Sequence, residues 1–91
     1  MTFSVFIPEP PTRTSPPPPV LYFLSGLTCG DENAKEKAAI FQHAAKAHLA
    51  VVWPDTSARG VDIAGQDDSW DFGTGAGFYV NATTEAYSKH Y

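Results

Sequence analysis

Ninety-one residues are enough for one small domain, and a chain this short buries only about 60% of the surface it would expose when extended. Six lysines and arginines face ten aspartates and glutamates, a formal net charge of -4, which leaves no electrostatic footprint for nucleic acid or an anionic membrane. Apolar runs reach only about five residues, far short of the ~20 that span a bilayer. Met1-Thr2-Phe3-Ser4 has neither a basic n-region nor a sustained apolar stretch, so it does not read as a signal peptide. A single cysteine, Cys29, has no partner for an internal disulfide, which favours a reducing compartment. The expectation is a soluble, intracellular, globular chain. Aromatics make up 13% of it, mostly in the C-terminal half beside glycines, a density that suits packing against a larger body.

In chain order, Phe3, Val5 and Ile7 alternate along one face and predict a strand ended by Pro8. Residues 8–19, "PEPPTRTSPPPP", lack many backbone donors and favour extended polyproline II, so they read as a solvated loop. Val20 to Leu24 is apolar on both faces, as in a parallel strand covered on both sides. Asp31 or Asn33 is placed to cap a helix that continues to about His48, with Ala34, Ala38, Phe41 and Ala45 along one stripe. Leu49 to Trp53, "LAVVW", predicts a further buried strand stopped by Pro54. Strand, helix, strand over ~35 residues is the length of a βαβ crossover, so the fold class is α/β. Beyond Asp55 no periodicity holds, apart from a weak helical pattern at Thr84 to His90; structureless stretches of that length are often functional.

Most chemical constellations fail on spacing. Gly73-Thr74-Gly75-Ala76-Gly77 lies between "SWDF" and "FYVNAT", not between a strand and a helix, and no Gly-Lys-Ser/Thr follows. His43 and His48 would point about 140° apart on one helix, and no third ligand completes a zinc site. Asp67, Asp68 and Asp71 lack the closing glutamate of a calcium loop. No metal or organic cofactor is expected. None of the serines at 4, 15, 25, 57, 69 and 88 sits in a Gly-x-Ser-x-Gly elbow. Cys29 stands near a helix start that would stabilise a thiolate, but better suits a small packed residue in a tight turn. The sharpest break is "VLYFLSGLTCGDEN", residues 20–33, where an apolar strand gives way to Ser25-Gly26-Leu27-Thr28-Cys29-Gly30 before a helix. Two glycines around a leucine and a cysteine suit a turn that presents backbone N–H groups.

Three stretches, "YFLSGLTC", "PDTSARG" and "DDSWDFGTGAGFYVNAT", in that order and at those intervals, resemble S-formylglutathione hydrolase, the esterase D family of the α/β-hydrolase superfamily. The likeness covers essentially residues 1–91. It implies a cytosolic serine thioesterase and carboxylesterase that hydrolyses S-formylglutathione to glutathione and formate in formaldehyde detoxification, without a cofactor. The family's nucleophile lies in a Gly-His-Ser-Met-Gly-Gly elbow followed by an aspartate and a histidine, none of which occurs here. The resemblance therefore implies a partial α/β-hydrolase domain, roughly the first third of the enzyme. It makes Leu27 the backbone N–H donor of the oxyanion hole, with Ser25, Gly26, Thr28, Cys29 and Trp70 forming the loop and pocket. Gly30 and Ala58 depart from the family pattern, the latter replacing the proline of "DTSPRG".

Two functional readings follow. The first is a segment of a thioesterase, carrying the oxyanion loop but inactive alone, whose parent acts on a small thioester or ester and is a candidate homodimer. The second is a non-catalytic module that binds a partner through exposed strands. A third, a cysteine-based activity, would need turnover that Cys29→Ala abolishes.

Overall fold

A computed structural model describes residues 1–91. Five elements follow in order: β1 (Phe3–Phe6), β2 (Val20–Tyr22), α1 (Asp31–Lys37), α2 (Phe41–Lys46) and β3 (Ala50–Pro54). The strands form one sheet in the order β1-β3-β2. β3 runs antiparallel to β1, with Val5 opposite Val52, and parallel to β2, with Leu21 beside Val51. The parallel pair brackets both helices, as the strand–helix–strand pattern predicts. Beyond the assigned strands the ladder continues through Phe23 N–H to Val52 C=O at 2.9 Å and Asp55 N–H to Thr2 C=O at 3.0 Å.

Both helices lie on one face of the sheet. Val51 and Trp53 point into it, each fully buried, and join Ala34 of α1 and Ala44 of α2, with Phe6, Phe23, Ile40 and Leu49 around them. Phe41 packs between Phe6, edge to face, and Trp53, at a tilt, its ring centroid 5.5 Å from each. The opposite face carries Phe3, Val5, Ile7, Val20 and Tyr22, all exposed; Phe3 and Tyr22 keep 62% and 66% of their surface in solvent. The β1 alternation is therefore present, but its large apolar side chains face away from the helices. Val20 to Leu24 likewise lacks the two-sided cover that its composition predicts.

The single helix expected to about His48 is two helices. Ala38 ends α1, Ala39 takes a left-handed φ of 46°, and Ile40 opens α2. On a straight helix Ala34 and Ala44, ten residues apart, would face directions about 80° apart. The break re-aims the second segment so that both alanines reach Val51 and Trp53. Of the predicted stripe, Ala34 is buried, Phe41 packs by its ring, and Ala38 and Ala45 are exposed. At the start of α1 the cap position is Gly30, whose N–H donates to Asn33 Oδ1 at 2.7 Å. Asp31 instead accepts from Ser4 Oγ at 2.6 Å, tying the first turn to β1.

Residues 55–91 contain no regular element, and Thr84 to His90 is a run of turns. The radius of gyration, 16.3 Å, exceeds the about 12 Å expected of a compact chain this long. The principal extents, 51 × 25 × 17 Å, describe a thin slab, a sheet with one layer of helices.

Candidate functional site

The loop from Ser25 to Gly30 leaves the C-terminal end of β2 and enters α1. Cys29 N–H donates to Gly26 C=O at 3.1 Å, closing a four-residue turn over Gly26-Leu27-Thr28-Cys29. Thr28 occupies the third position with φ of 69°, a position that turns of this kind usually give to glycine or asparagine. A β-branched residue held there costs about 1–3 kcal/mol. Leu27, in the second position, lies outside the turn's own hydrogen bond, and its N–H has no acceptor within the chain. Ser25 Oγ is shielded from solvent and unpartnered. Cys29 is half-buried with a free thiol.

Both later motifs converge on this turn. Thr28 N–H donates to Gly75 C=O at 2.9 Å. Gly75 N–H donates to Ser57 Oγ at 2.8 Å. Thr56 Oγ1 donates to Cys29 C=O at 2.5 Å, and Arg59 Nη2 reaches the same carbonyl at 3.3 Å. Arg59 grips the buried Asp55 carboxylate with both arms of its fork, Nε at 2.8 Å and Nη2 at 3.0 Å, the bidentate geometry that fixes a guanidinium in orientation.

Burial alone would push the Asp55 carboxyl up; the Arg59 hydrogen bonds, the Thr56 and Ser57 amides and the guanidinium charge outweigh it and hold the group below the ordinary carboxylate range. The hydrogen bond to Asp55 raises Arg59 in turn, against the opposing effect of its own burial.

Two glycines make this convergence possible. Gly75 has φ of 82°, and a Cβ there would stand 2.9 Å from Thr28 Cα. A Cβ on Gly77 would fall against the Thr56 carbonyl. The glycine run that fails as a phosphate loop is thus a seam where three backbone segments touch.

Ser25, Gly26, Leu27, Thr28 and Cys29 lie together in the loop. Trp70 is 75% exposed, and the support for the turn comes from Gly75 instead. A separate hollow of about 270 Å³ lies between Phe72, Tyr79, Thr84, Tyr87 and Tyr91, away from the turn. Asp55, Thr56, Ser57 and Arg59 are the residues that motif reasoning passed over. The Asp-x-x-x-Arg spacing in "PDTSARG", directly after a buried strand, is the signal that could have found them.

Sheet order, parallel crossover and a loop with a free amide at the end of a strand define part of an α/β-hydrolase sheet. The family described as "Putative esterase" matches residues 1–91, and the chain belongs to this esterase family. Over all 91 residues it is 52% identical to the S-formylglutathione hydrolase of Mus musculus and 50% identical to that of Rattus norvegicus, covering 32% of each. An S-formylglutathione hydrolase from Agrobacterium tumefaciens has the same fold, with a TM-score of 0.80 at 44% identity over 97% of this chain and 31% of that one. The chain thus spans about a third of the length of the relatives it matches.

Proposed function

We propose that this chain supplies the oxyanion-loop segment of a cytoplasmic serine thioesterase that hydrolyses S-formylglutathione to glutathione and formate, a step in formaldehyde detoxification. The observation that carries the reading is the Leu27 N–H, left without an acceptor in a turn whose next two amides, of Thr28 and Cys29, are both engaged. When a hydroxyl attacks a thioester carbonyl, negative charge gathers on its oxygen. A fixed N–H aimed at that oxygen stabilises the tetrahedral species more than the planar ester, and one such donor is worth about 10²–10³ in rate. In α/β-hydrolases the second donor follows the nucleophile, and no serine of this chain stands in that frame. The chain alone is therefore inactive. Gly26 lets the backbone turn the Leu27 N–H inward, and Cys29 lies close to the acyl position, so modification of its thiol blocks the site without Cys29 being the nucleophile. The complete enzyme takes a small thioester or ester without metal or cofactor, and a homodimer is its candidate assembly.

The test is hydrolysis of S-formylglutathione and of a chromogenic acetate ester by the purified chain, with and without a serine-directed inhibitor. No turnover above the bare reaction is expected. Turnover that the inhibitor abolishes would make one of these serines an activated nucleophile and overturn the reading.

A second reading, a non-catalytic module that captures a partner, draws on the exposed apolar face of Phe3, Val5, Val20 and Tyr22 and on β2 standing at the sheet edge. An unpaired edge beside an apolar face is a template for another chain. Sedimentation of the purified chain distinguishes the two: a well-behaved monomer that melts cooperatively and captures a second polypeptide favours the module.

A further inference from the structure

Thr28 holds a conformation that a β-branched residue avoids, and the single turn hydrogen bond from Cys29 to Gly26 does not account for it, because nothing in that bond selects a positive φ over the relaxed alternative. The restraint comes from outside the turn. On one side the Thr28 N–H is fixed to Gly75 C=O at 2.9 Å, and Gly75 is itself fixed by Ser57 Oγ at 2.8 Å. On the other side the Cys29 carbonyl receives Thr56 Oγ1 at 2.5 Å and Arg59 Nη2 at 3.3 Å. Both holds originate in residues 55–59, directly after β3. That segment is rigid in its own right: Asp55, Thr56 and Ser57 are buried, and Asp55 locks Arg59 in two places.

We propose that Thr56 and Arg59 are positioning residues, which grip the turn by the Cys29 carbonyl while Ser57, through Gly75, grips it by the Thr28 amide. Held at its third and fourth residues, the turn keeps its left-handed residue and leaves the Leu27 N–H free to meet an anion. Released at either point, Thr28 relaxes to negative φ, and the peptides on its two sides rotate relative to each other. This proposal rests on the reading of Leu27 as an oxyanion donor. It adds that the donor's direction is set from outside the loop, by two hydroxyls and a guanidinium that never touch the substrate. Thr56 carries the larger share, since its bond is shorter and partly buried, whereas the Arg59 contact is longer and exposed.

Amide exchange in the 91-residue chain tests the grip without any chemistry. In Thr56→Val, which keeps the shape and removes the donor, Thr28 N–H should exchange about fivefold to tenfold faster, a factor within the range one intramolecular hydrogen bond supplies. The β3 amides should be unchanged, and Thr56→Ser should restore the original rate. Arg59→Met should give a smaller acceleration in the same place and serves as the second variant should Thr56→Val disturb β3. An unchanged Thr28 rate in both variants, or an unsubstituted chain whose Thr28 exchanges like an unfolded peptide, overturns the proposal. The reaction is tested separately, with this chain replacing the matching third of the mouse enzyme. There Thr56→Val should lower kcat about tenfold, leave KM within twofold, and recover with Thr56→Ser. Faster Thr28 exchange with an unchanged kcat would contradict the oxyanion reading while the grip itself stood.

Discussion

The two halves of this chain achieve order by opposite means. Residues 1–54 hold all five regular elements, yet most of their large apolar side chains are exposed, from Phe3 and Ile7 to Tyr22 and Leu24. Residues 55–91 hold no regular element, yet Asp55, Thr56, Ser57 and Gln66 are buried there. In the first half the backbone ladder sets the shape, and burial is complete only on the helix-covered side of the sheet. In the second, side chains bond to backbone, and glycines let segments touch. A buried polar group is costly unless it finds a partner; Asp55, Thr56 and Ser57 find theirs in Arg59, Cys29 and Gly75, so the irregular half gains definition from the bonds that converge on the loop after β2. Regular structure positions this site coarsely; irregular structure orients it.

Four perturbations would break or sharpen that contrast. The largest effect belongs to the covered side of the sheet. Trp53→Ala removes a fully buried ring that contacts Phe41; it should cost ~3–5 kcal/mol, a large part of the stability of a small domain, as read by urea unfolding. Gly75→Ala probes the irregular half. Its Cβ would meet Thr28 Cα at 2.9 Å on a backbone with φ of 82°, a combined strain and clash of about 2–5 kcal/mol. Here the loss should be local as well, with Thr28 amide protection disappearing before that of β3.

The third is acid. The Asp55 carboxyl lies below its ordinary range in the folded chain. Its contribution is therefore present above the usual carboxylate value of about 3.9 and is lost as pH falls through the lower folded value. Arg59 keeps 43% of its side chain in solvent, so the pair is worth under about 1 kcal/mol. A urea midpoint followed from pH 6 to pH 3 should fall, and Asp55→Asn should flatten the part of the fall due to this pair. The smallest effect is expected on the bare side of the sheet: Phe3→Ser should change stability by less than about 0.5 kcal/mol while reducing self-association seen by light scattering. A loss comparable to that of Trp53→Ala would mean that this face is covered.

The fold was legible where the sequence is periodic. Two apolar strands around a helical stretch predict the parallel β2–β3 crossover, and the β1 alternation predicts a strand, although not which side the helices would cover. The break at Ala39 was not legible, because alanine is a strong helix former and the left-handed turn there is imposed by the need to bring Ala34 and Ala44 onto one pair of strand residues. At the site, the Ser25 to Cys29 loop was readable from its glycine and its place between strand and helix. The grip of Thr56 and Arg59 was not. A hydroxyl 27 positions along the chain from the carbonyl it binds leaves no local pattern, and only the Asp55–Arg59 spacing hints at a fixed guanidinium. Trp70, assigned to the pocket by the family resemblance alone, is exposed in this chain, whereas the nearby Gly75 touches the loop.

The central claim is that these residues form the oxyanion side of an esterase site whose nucleophile lies in another part of the fold. The most direct test is S-formylglutathione hydrolysis by a hybrid in which this chain replaces the matching third of the mouse enzyme, with which it shares 52% identity. The account predicts inhibitor-sensitive turnover within about tenfold of the mouse enzyme, since one misplaced donor alone would cost about 10²–10³. A hybrid that folds and binds the serine-directed inhibitor but turns over no thioester would contradict it.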